Sequence, residues 1–412
     1  MLFKDLCLSQ PVLQAVENAG YHEASPVQAE AIPAVLSGKD LLVGAKTGTG
    51  KTAAFALPVL DQLLNTSSQV QPDKKVIKAL VLVPTRELAQ QVNNSFKKYA
   101  KGTGLRSAVA YGGVGIGPQI DQLKQGVDLL VATPGRLLDL CKKKAANLRE
   151  IEFLIFDEAD RMLDMGFRDE IKAVISKLPK REQKARQVML FSATLNDRIF
   201  KFSKNLLLKP QVIEVDQRGS SADNVDQIIY NCDPARKYEI TSYLIKNRGW
   251  AQVMVFSQTK QGADKLQQYL SEQGLETDVI HADRTQKQRE DALSQFKSQK
   301  LKVLVATDVA ARGIDIAELP AVINLEMPFK AEDYIHRIGR TGRAGSQGVA
   351  ISLLIEEENY LLEAIEALID ERLPQQWLTG FEPDLSREIE IKRSNTKSAQ
   401  KRRAKKRAFA KR

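Results

Sequence analysis

Short runs that are apolar at nearly every position recur along the whole chain. In the first half they read DLLVGA (40–45), ALVLVPT (79–85), DLLVATP (128–134), FLIFDE (153–158) and VMLFSAT (188–194). In the second they read VMVFSQT (253–259), DVIHAD (278–283), VLVATD (303–308), AVINLE (321–326) and VAISLL (349–354). A strand with one face in water alternates apolar and polar residues, whereas an unbroken apolar run suits a strand buried on both faces. Helix-like stretches separate the runs. The pattern therefore predicts an α/β fold built from βαβ units, a mostly parallel sheet covered by helices on both faces, once in each half. Ligand-contacting residues of such sheets gather at the carboxyl ends of the strands. Here those ends carry the polar, glycine-bearing segments.

A chain of 412 residues exceeds one ordinary domain and suits two. The grammar weakens over 207–227, whose centre QRGSSADN is small, polar and suited to an exposed linker. The expected units are domain 1–208, linker 209–226, domain 227–373, an extension 374–390 and a basic, disordered tail 391–412. Cys7, Cys141 and Cys232 lie far apart and form no CxxC pair, which argues against disulfides and zinc and for a reducing, cytoplasmic setting. The N-terminus lacks the apolar run of a signal peptide, and no stretch is apolar enough to span a bilayer. The net charge of +10 belongs to the tail: 391–412 hold 11 Lys or Arg and no acid, leaving 50 basic against 51 acidic residues elsewhere. Such a tail is either a solvated terminus or a sequence-blind grip on phosphate polyanions, and the absence of interleaved acids favours the grip. A membrane surface fits less well, because Phe409 is the tail's one aromatic and there is no apolar face.

Residues 154–167, LIFDEADRMLDMGF, drive an apolar run into Asp157, Glu158 and Asp160. Carboxylates so close repel one another and are costly to desolvate, so positive charge belongs beside them. Residues 45–52, AKTGTGKT, supply a partner. They follow the P-loop pattern with Ala45 in place of the first glycine, then Lys46, Thr47, Gly48, Thr49, Gly50, Lys51 and Thr52. Gly48 and Gly50 let successive backbone N–H groups curl toward a phosphate. Lys51 adds a cation for the β/γ-phosphates, and Thr52 a hydroxyl for Mg²⁺ at a helix N-terminus that favours anions. A plain glycine-rich turn is the alternative, but a strand before and a helix-like AAFALPVLDQLL after favour nucleotide binding. Asp157 can then hold Mg²⁺, and Glu158 can orient or deprotonate the attacking water.

With AKTGTGKT and DEAD in place, the sequence resembles the DEAD-box RNA helicases of superfamily 2. Phe3 and GYHEASPVQ, ending in Gln28, resemble the family's Q motif. PTRELAQ (84–90), Gly112-Gly113, TPGR (133–136), SAT (192–194), VFSQT, Gln286 to Arg289, TDVAARGID (307–315) and HRIGRTGR (336–343) follow in the family's order, over about 3–375. The resemblance implies two tandem RecA-like domains that close over ATP-Mg²⁺ and RNA. It implies that Arg340 and Arg343 reach the γ-phosphate as arginine fingers and that Asp315 contacts the ribose. Coupling falls to Asp160, bonded to Ser192 and Thr194, and to His336. RNA contacts fall to Pro84, Thr85, Arg86, Gly113, Thr133, Arg136, Gln286, Arg289 and Thr307. Backbone amides, hydroxyls and arginines of this kind hold phosphate and sugar without reading bases, so the partner is RNA of any sequence, single-stranded or in short duplexes. Gln28, donor and acceptor at once, matches adenine's N6 and N7 and predicts ATP over GTP. Phe3 either stacks on the base or is a core aromatic; the alternative for Arg340 and Arg343 is a set of surface ion pairs.

Several positions depart from the family pattern. Lys46 stands where Gln is usual, Ala24-Ser25 replaces Pro-Thr, Tyr21 replaces Phe, and HAD (281–283) replaces a His-Gly pair. None removes a catalytic group. The sequence thus reads as a monomeric ATP-dependent RNA helicase that locally separates strands. A slow-turnover ATP-dependent RNA clamp and a DNA helicase of the same superfamily are the alternatives. The short basic tail resembles most the bacterial RhlE-type subgroup, which implies work in ribosome assembly or RNA turnover. Deleting 391–412 is expected to weaken RNA binding and flatten its salt dependence while leaving the RNA-free ATPase rate unchanged; salt titrations of both proteins, read by fluorescence anisotropy, check this.

Overall fold

The computed structural model describes residues 1–45, 48–67, 76–215, 225–311, 314, 316, 319–342 and 347–384. Its first sheet contains β1 (Leu41–Gly44), β2 (Ala79–Leu82), β3 (Ser107–Ala110), β4 (Leu129–Ala132), β5 (Phe153–Phe156), β6 (Gln187–Ser192) and β7 (Gln211–Glu214). Their order is β3-β4-β2-β5-β6-β1-β7. The second contains β8 (Val225–Asn231), β9 (Val253–Ser257), β10 (Thr277–Ile280), β11 (Val303–Thr307), β12 (Ala321–Asn324), β13 (Gly348–Leu354) and β14 (Gln375–Gln376), in the order β10-β11-β9-β12-β13-β8-β14. Every strand pair in both sheets is parallel.

All ten apolar runs become strands. Their unbroken hydrophobicity hides a period of two, split between two cores. Along β1, Leu41 and Val43 enter one helix-packed core and Leu42 the other. Along β9, Val253 and Val255 face one core, Met254 and Phe256 the other. This is the alternation a pleated strand requires when both faces are covered.

The structure corrects the expected linker. Residues 211–214, within 209–226, form β7 and pair with β1, and β8 begins at Val225. β7 is an edge strand with a half-exposed pattern, so it shows no apolar run; residues 216–224 lie outside the described residues. The extension 374–390 is also structured in part. β14 adds to β8, Phe381 packs on Tyr243 with ring centroids 5.0 Å apart, and the Arg236 guanidinium lies 4.5 Å over the Phe381 ring.

At the amino edge of the first sheet, buried Asp40 accepts from Arg181 Nη2 (2.8 Å), Val188 N (2.9 Å) and Leu208 N (2.6 Å), tying the starts of β1 and β6 together. The opposite edge is thereby left to function. The helix Lys51–Ser67 that follows β1 is seated by Phe55, fully buried, with its ring 5.1 Å from Phe191 of β6 and 6.1 Å from Phe96. Replacing Phe55 with Ala is expected to cost about 3–5 kcal/mol through lost burial and a cavity. Calorimetry checks this as a lower transition for the first domain with the second domain's unchanged.

Candidate active site and interdomain cleft

The strand order sets the site's layout. At the carboxyl edge of the first sheet, β4, β2, β5, β6 and β1 deliver in turn TPGR, PTREL, DEAD, SAT and the phosphate loop. The acid-bearing strand β5 does not adjoin the phosphate-loop strand β1; β6 lies between them. SAT therefore sits wedged between the two halves of the candidate ATP site, and the candidate RNA residues fall on the far side of DEAD.

The phosphate loop has the expected backbone. Gly48 and Gly50 have φ of +86° and +90°, the region that favours glycine. A Cβ on Gly50 would lie 2.3 Å from Gln28 Nε2. Gln28 is buried; its Nε2 donates to Gly50 O (3.1 Å) and its Oε1 accepts from Ser25 N (2.9 Å). An amide can make four such bonds, so Gln28 keeps one donor and one acceptor for a base. Lys51 is 7% exposed, and its Nζ is buried with no hydrogen-bond partner in the protein. A buried ammonium with spare donors is a ready anion site. Lys46 and Thr47 lie outside the described residues. Ala45 N donates to Ser192 O at 3.0 Å, and Ser25 Oγ donates to Thr49 O at 2.7 Å, which moors the loop on both sides.

Asp157 and Glu158 are both buried. Burial is the largest influence on the Asp157 carboxyl; with the neighbouring Glu158 and Asp160 it pushes the pKa up to about 6 against the pull of Lys51. A carboxylate short of counter-charge beside a hydroxyl-bearing Thr52 has the oxygen donors a hard divalent cation takes, so the residues fit Mg²⁺. Glu158 adopts φ 53°, ψ 52°, left-handed for a non-glycine residue. Arg161 Nη1 holds its Oε2 at 3.2 Å.

The second domain closes this site. A cavity of about 290 Å³ is lined by Gly48, Gly50, Lys51, Thr52, Asp157 and Glu158 on one side and by Ile314 and Arg340 on the other. Arg340 is 5% exposed, and its Nη1 donates to Ile314 O at 2.8 Å. Arg343 and Asp315 lie outside the described residues. Tyr21 also lines the cavity. Phe3 does not: it is 4% exposed in the core and stacks behind Tyr21, ring centroids 6.2 Å apart. The core alternative holds for Phe3, and Tyr21 presents the aromatic face.

Coupling residues meet at a second interdomain cavity, of about 250 Å³, lined by Asp160, Thr194 and His336 among others. Asp160 Oδ2 accepts from Ala193 N (3.0 Å), Thr194 N (3.2 Å) and Thr194 Oγ1 (3.4 Å). The expected bond to Ser192 is replaced: the Ser192 hydroxyl donates to Thr194 O at 2.8 Å, because it points back along its own turn. Asp164 bridges the domains, 3.0 Å from Lys330 and 2.9 Å from Arg198. Burial works against its charged form, but the Lys330 and Arg198 contacts outweigh it and hold the carboxyl below its usual range.

The candidate RNA residues divide. Gly113 (φ +82°) and Arg86 touch so closely that a Cβ there would lie 1.9 Å from Arg86 Nη1. Arg136 Nη2 donates to Val114 O at 2.9 Å, so both arginines frame the Gly112-Gly113 turn. Thr85 caps the helix Arg86–Tyr99; Pro84, Thr85 and Thr133 are buried at strand ends, as is Thr307 in the second domain. Gln286 and Arg289, expected at the RNA, reach across to the first domain. Arg289 Nη2 lies 2.8 Å from Glu87 Oε1, Gln286 Oε1 accepts from Arg86 Nη1 at 3.5 Å, and Gln286 Nε2 donates to Glu290 at 2.9 Å. Gln90 Nε2 also donates to Glu290 at 2.9 Å. These residues lock one domain to the other. No sequence pattern could expose that, because their partners lie about two hundred positions away. Arg337, too, carries no sequence signal that marks it out. It is 1% exposed and grips Asp308 through two bonds, 2.6 and 2.7 Å.

Two parallel-sheet domains with a phosphate loop on one, an arginine on the other and a polar cleft between them define a nucleotide-driven motor of the tandem RecA-like type. Residues 25–202 match the DEAD/DEAH box helicase family model, and residues 236–345 match the helicase conserved C-terminal domain. The DEAD-box ATP-dependent RNA helicase CshA of Bacillus cereus is 40% identical over 364 residues, covering 88% of this chain and 67% of that one. The human probable ATP-dependent RNA helicase DDX4 is 40% identical over 89% of this chain and 51% of its own. Among solved structures, yeast Dbp5 bound to RNA and ADP BeF3 superposes with TM-score 0.80 at 29% identity, covering 93% of this chain and 95% of that one. Mss116 bound to ssRNA and UDP-BeF gives 0.82 at 28%, covering 93% and 80%. The chain belongs to the family of DEAD-box ATP-dependent RNA helicases, enzymes that hydrolyse ATP and act on RNA.

Substituting Gln28 with Ala is expected to raise the Michaelis constant for ATP and to erode selectivity over GTP. Steady-state kinetics with both nucleotides check this; unchanged selectivity means that Gln28 does not read the base.

Proposed function

We propose that the chain separates short RNA duplexes by closing its two domains, 1–208 and 227–373, on ATP and one RNA strand. The observation that carries this reading is the placement of Arg340 from the second domain in one cavity with Lys51, Asp157 and Glu158 from the first. The phosphate-loop amides and Lys51 hold the β/γ-phosphates, and Thr52 and Asp157 hold Mg²⁺. When bound, that ion would supply Lewis-acid charge that offsets the negative charge developing on the phosphates. Glu158 orients the attacking water, and Arg340, with Arg343, stabilises the transferring phosphoryl group. Gln28 selects adenine, with Phe3 acting through Tyr21, and Asp315 takes the ribose. Asp160, Ser192, Thr194 and His336 link the state of the nucleotide to the angle between the domains. Pro84, Thr85, Arg86, Gly113, Thr133, Arg136 and Thr307 hold the strand by phosphate and sugar, while Gln286 and Arg289 lock closure around it. A strand bent to follow the closed surface cannot stay paired, so unwinding is local.

The basic tail supports a place in the RhlE-type subgroup, a monomer at work in the cytoplasm on ribosome assembly or RNA turnover. The test is ATP hydrolysis without nucleic acid, with single-stranded RNA and with the matching DNA, for the wild type and Glu158→Gln. RNA-specific stimulation that disappears in the variant is expected. Stimulation by DNA to the same extent means that the polymer is misassigned.

A further inference from the structure

We infer that Arg161 is a positioning residue that ties the Glu158 carboxylate to the second domain, so that the carboxylate is held for hydrolysis only when the domains have closed. The inference rests on the reading of Glu158 as the group that orients water. Arg161 lies one turn after Glu158 in the helix Ala159–Asp164 and is 2% exposed. Its two terminal nitrogens serve different domains. Nη1 donates to Glu158 Oε2 at 3.2 Å, and Nη2 donates to the backbone oxygen of Val309 at 2.5 Å. Val309 belongs to the short helix Asp308–Ala311. Arg337 clamps Asp308 from the helix Ala331–Ile338, which ends just before Arg340. Contacts thus run from the water-orienting carboxylate through two buried arginines to the segment that carries the arginine finger.

The physical reason is the cost of a buried guanidinium. It is tolerated only while acceptors meet its donors, and one of Arg161's acceptors comes from the other domain. When the domains part, the Val309 oxygen leaves. Arg161 then no longer has the anchor that fixes its plane against Glu158. Glu158 itself sits in a left-handed conformation, which persists only where the surroundings over-determine it. A lysine is a poor replacement for this bridge, because its single nitrogen cannot occupy the positions of both Nη1 and Nη2 and lacks the rigid planar fork that orients them.

The test compares full-length wild type, Arg161→Gln, Arg161→Lys, Glu158→Gln and the double variant R161Q/E158Q. Loss of one buried charge-assisted bond predicts an RNA-saturated kcat lower by about tenfold or more, with the ATP Michaelis constant within about twofold of wild type. Arg161→Lys keeps the buried charge and the melting temperature, and it is expected to lose kcat as well. In the Glu158→Gln background, where hydrolysis is absent, Arg161→Gln is expected to weaken RNA binding in ATP by about tenfold and leave nucleotide-free RNA binding unchanged. Wild-type kcat in both Arg161 variants, full recovery in Arg161→Lys, or equal RNA affinity of the double variant and Glu158→Gln overturns the inference. Hydrolysis that survives in Glu158→Gln instead overturns the reading of Glu158. The RNA-affinity comparison then still decides whether Arg161 joins the domains.

Discussion

Two adjacent carboxylates buried at a strand end need positive charge around them, and the surrounding structure divides that supply between two domains. Lys51 and Arg161 come from the domain that holds Asp157 and Glu158, and Arg340 comes from the other. Each cation is itself buried, so each needs the carboxylates or a phosphate as much as they need it. A site built in this way is unfinished in either domain alone. Domain motion and chemistry are therefore linked by charge balance.

The parallel sheets turn that balance into a layout. All strands of a sheet end at one edge, so the candidate residues for ATP and those for RNA are neighbours there. Because β6 lies between β5 and β1, the SAT turn touches both the phosphate loop, through Ala45 and Ser192, and Asp160 of DEAD. One turn thus joins the phosphate loop to the acid that faces the second domain. No long pathway is needed; adjacent strand ends suffice.

The domains meet through contacts of unequal kind. Arg289 and Glu87 are 11% and 6% exposed, well shielded from salt, and their separation leaves a buried charge unpaired. Lys330 and Asp164 are 49% and 25% exposed, so their attraction is weaker and screened. The firm contacts adjoin the candidate RNA surface, where Arg86 also rests on the Gly113 turn. Closure therefore draws on side chains that border that candidate surface.

The sequence by itself determined the two parallel sheets, because burial on both faces demands apolar residues at every strand position. It also marked the phosphate loop and the acids, whose chemistry is local: a glycine-permitted curl, a lysine and a strand end lie within a few residues of one another. It did not reveal β3, β7, β8 or β14, which sit at or near an exposed edge and carry mixed residues. Tertiary structure alone decided that Phe3 lies behind Tyr21 and that β6 separates β1 from β5. It alone decided that Gln286 and Arg289 meet Arg86 and Glu87 of the other domain, and that Arg161, three residues from Glu158 in plain view, reaches Val309. The reason is the same in each case. Composition and periodicity report how a residue meets solvent and its near neighbours, whereas these contacts join residues brought together only when two separately folded domains meet.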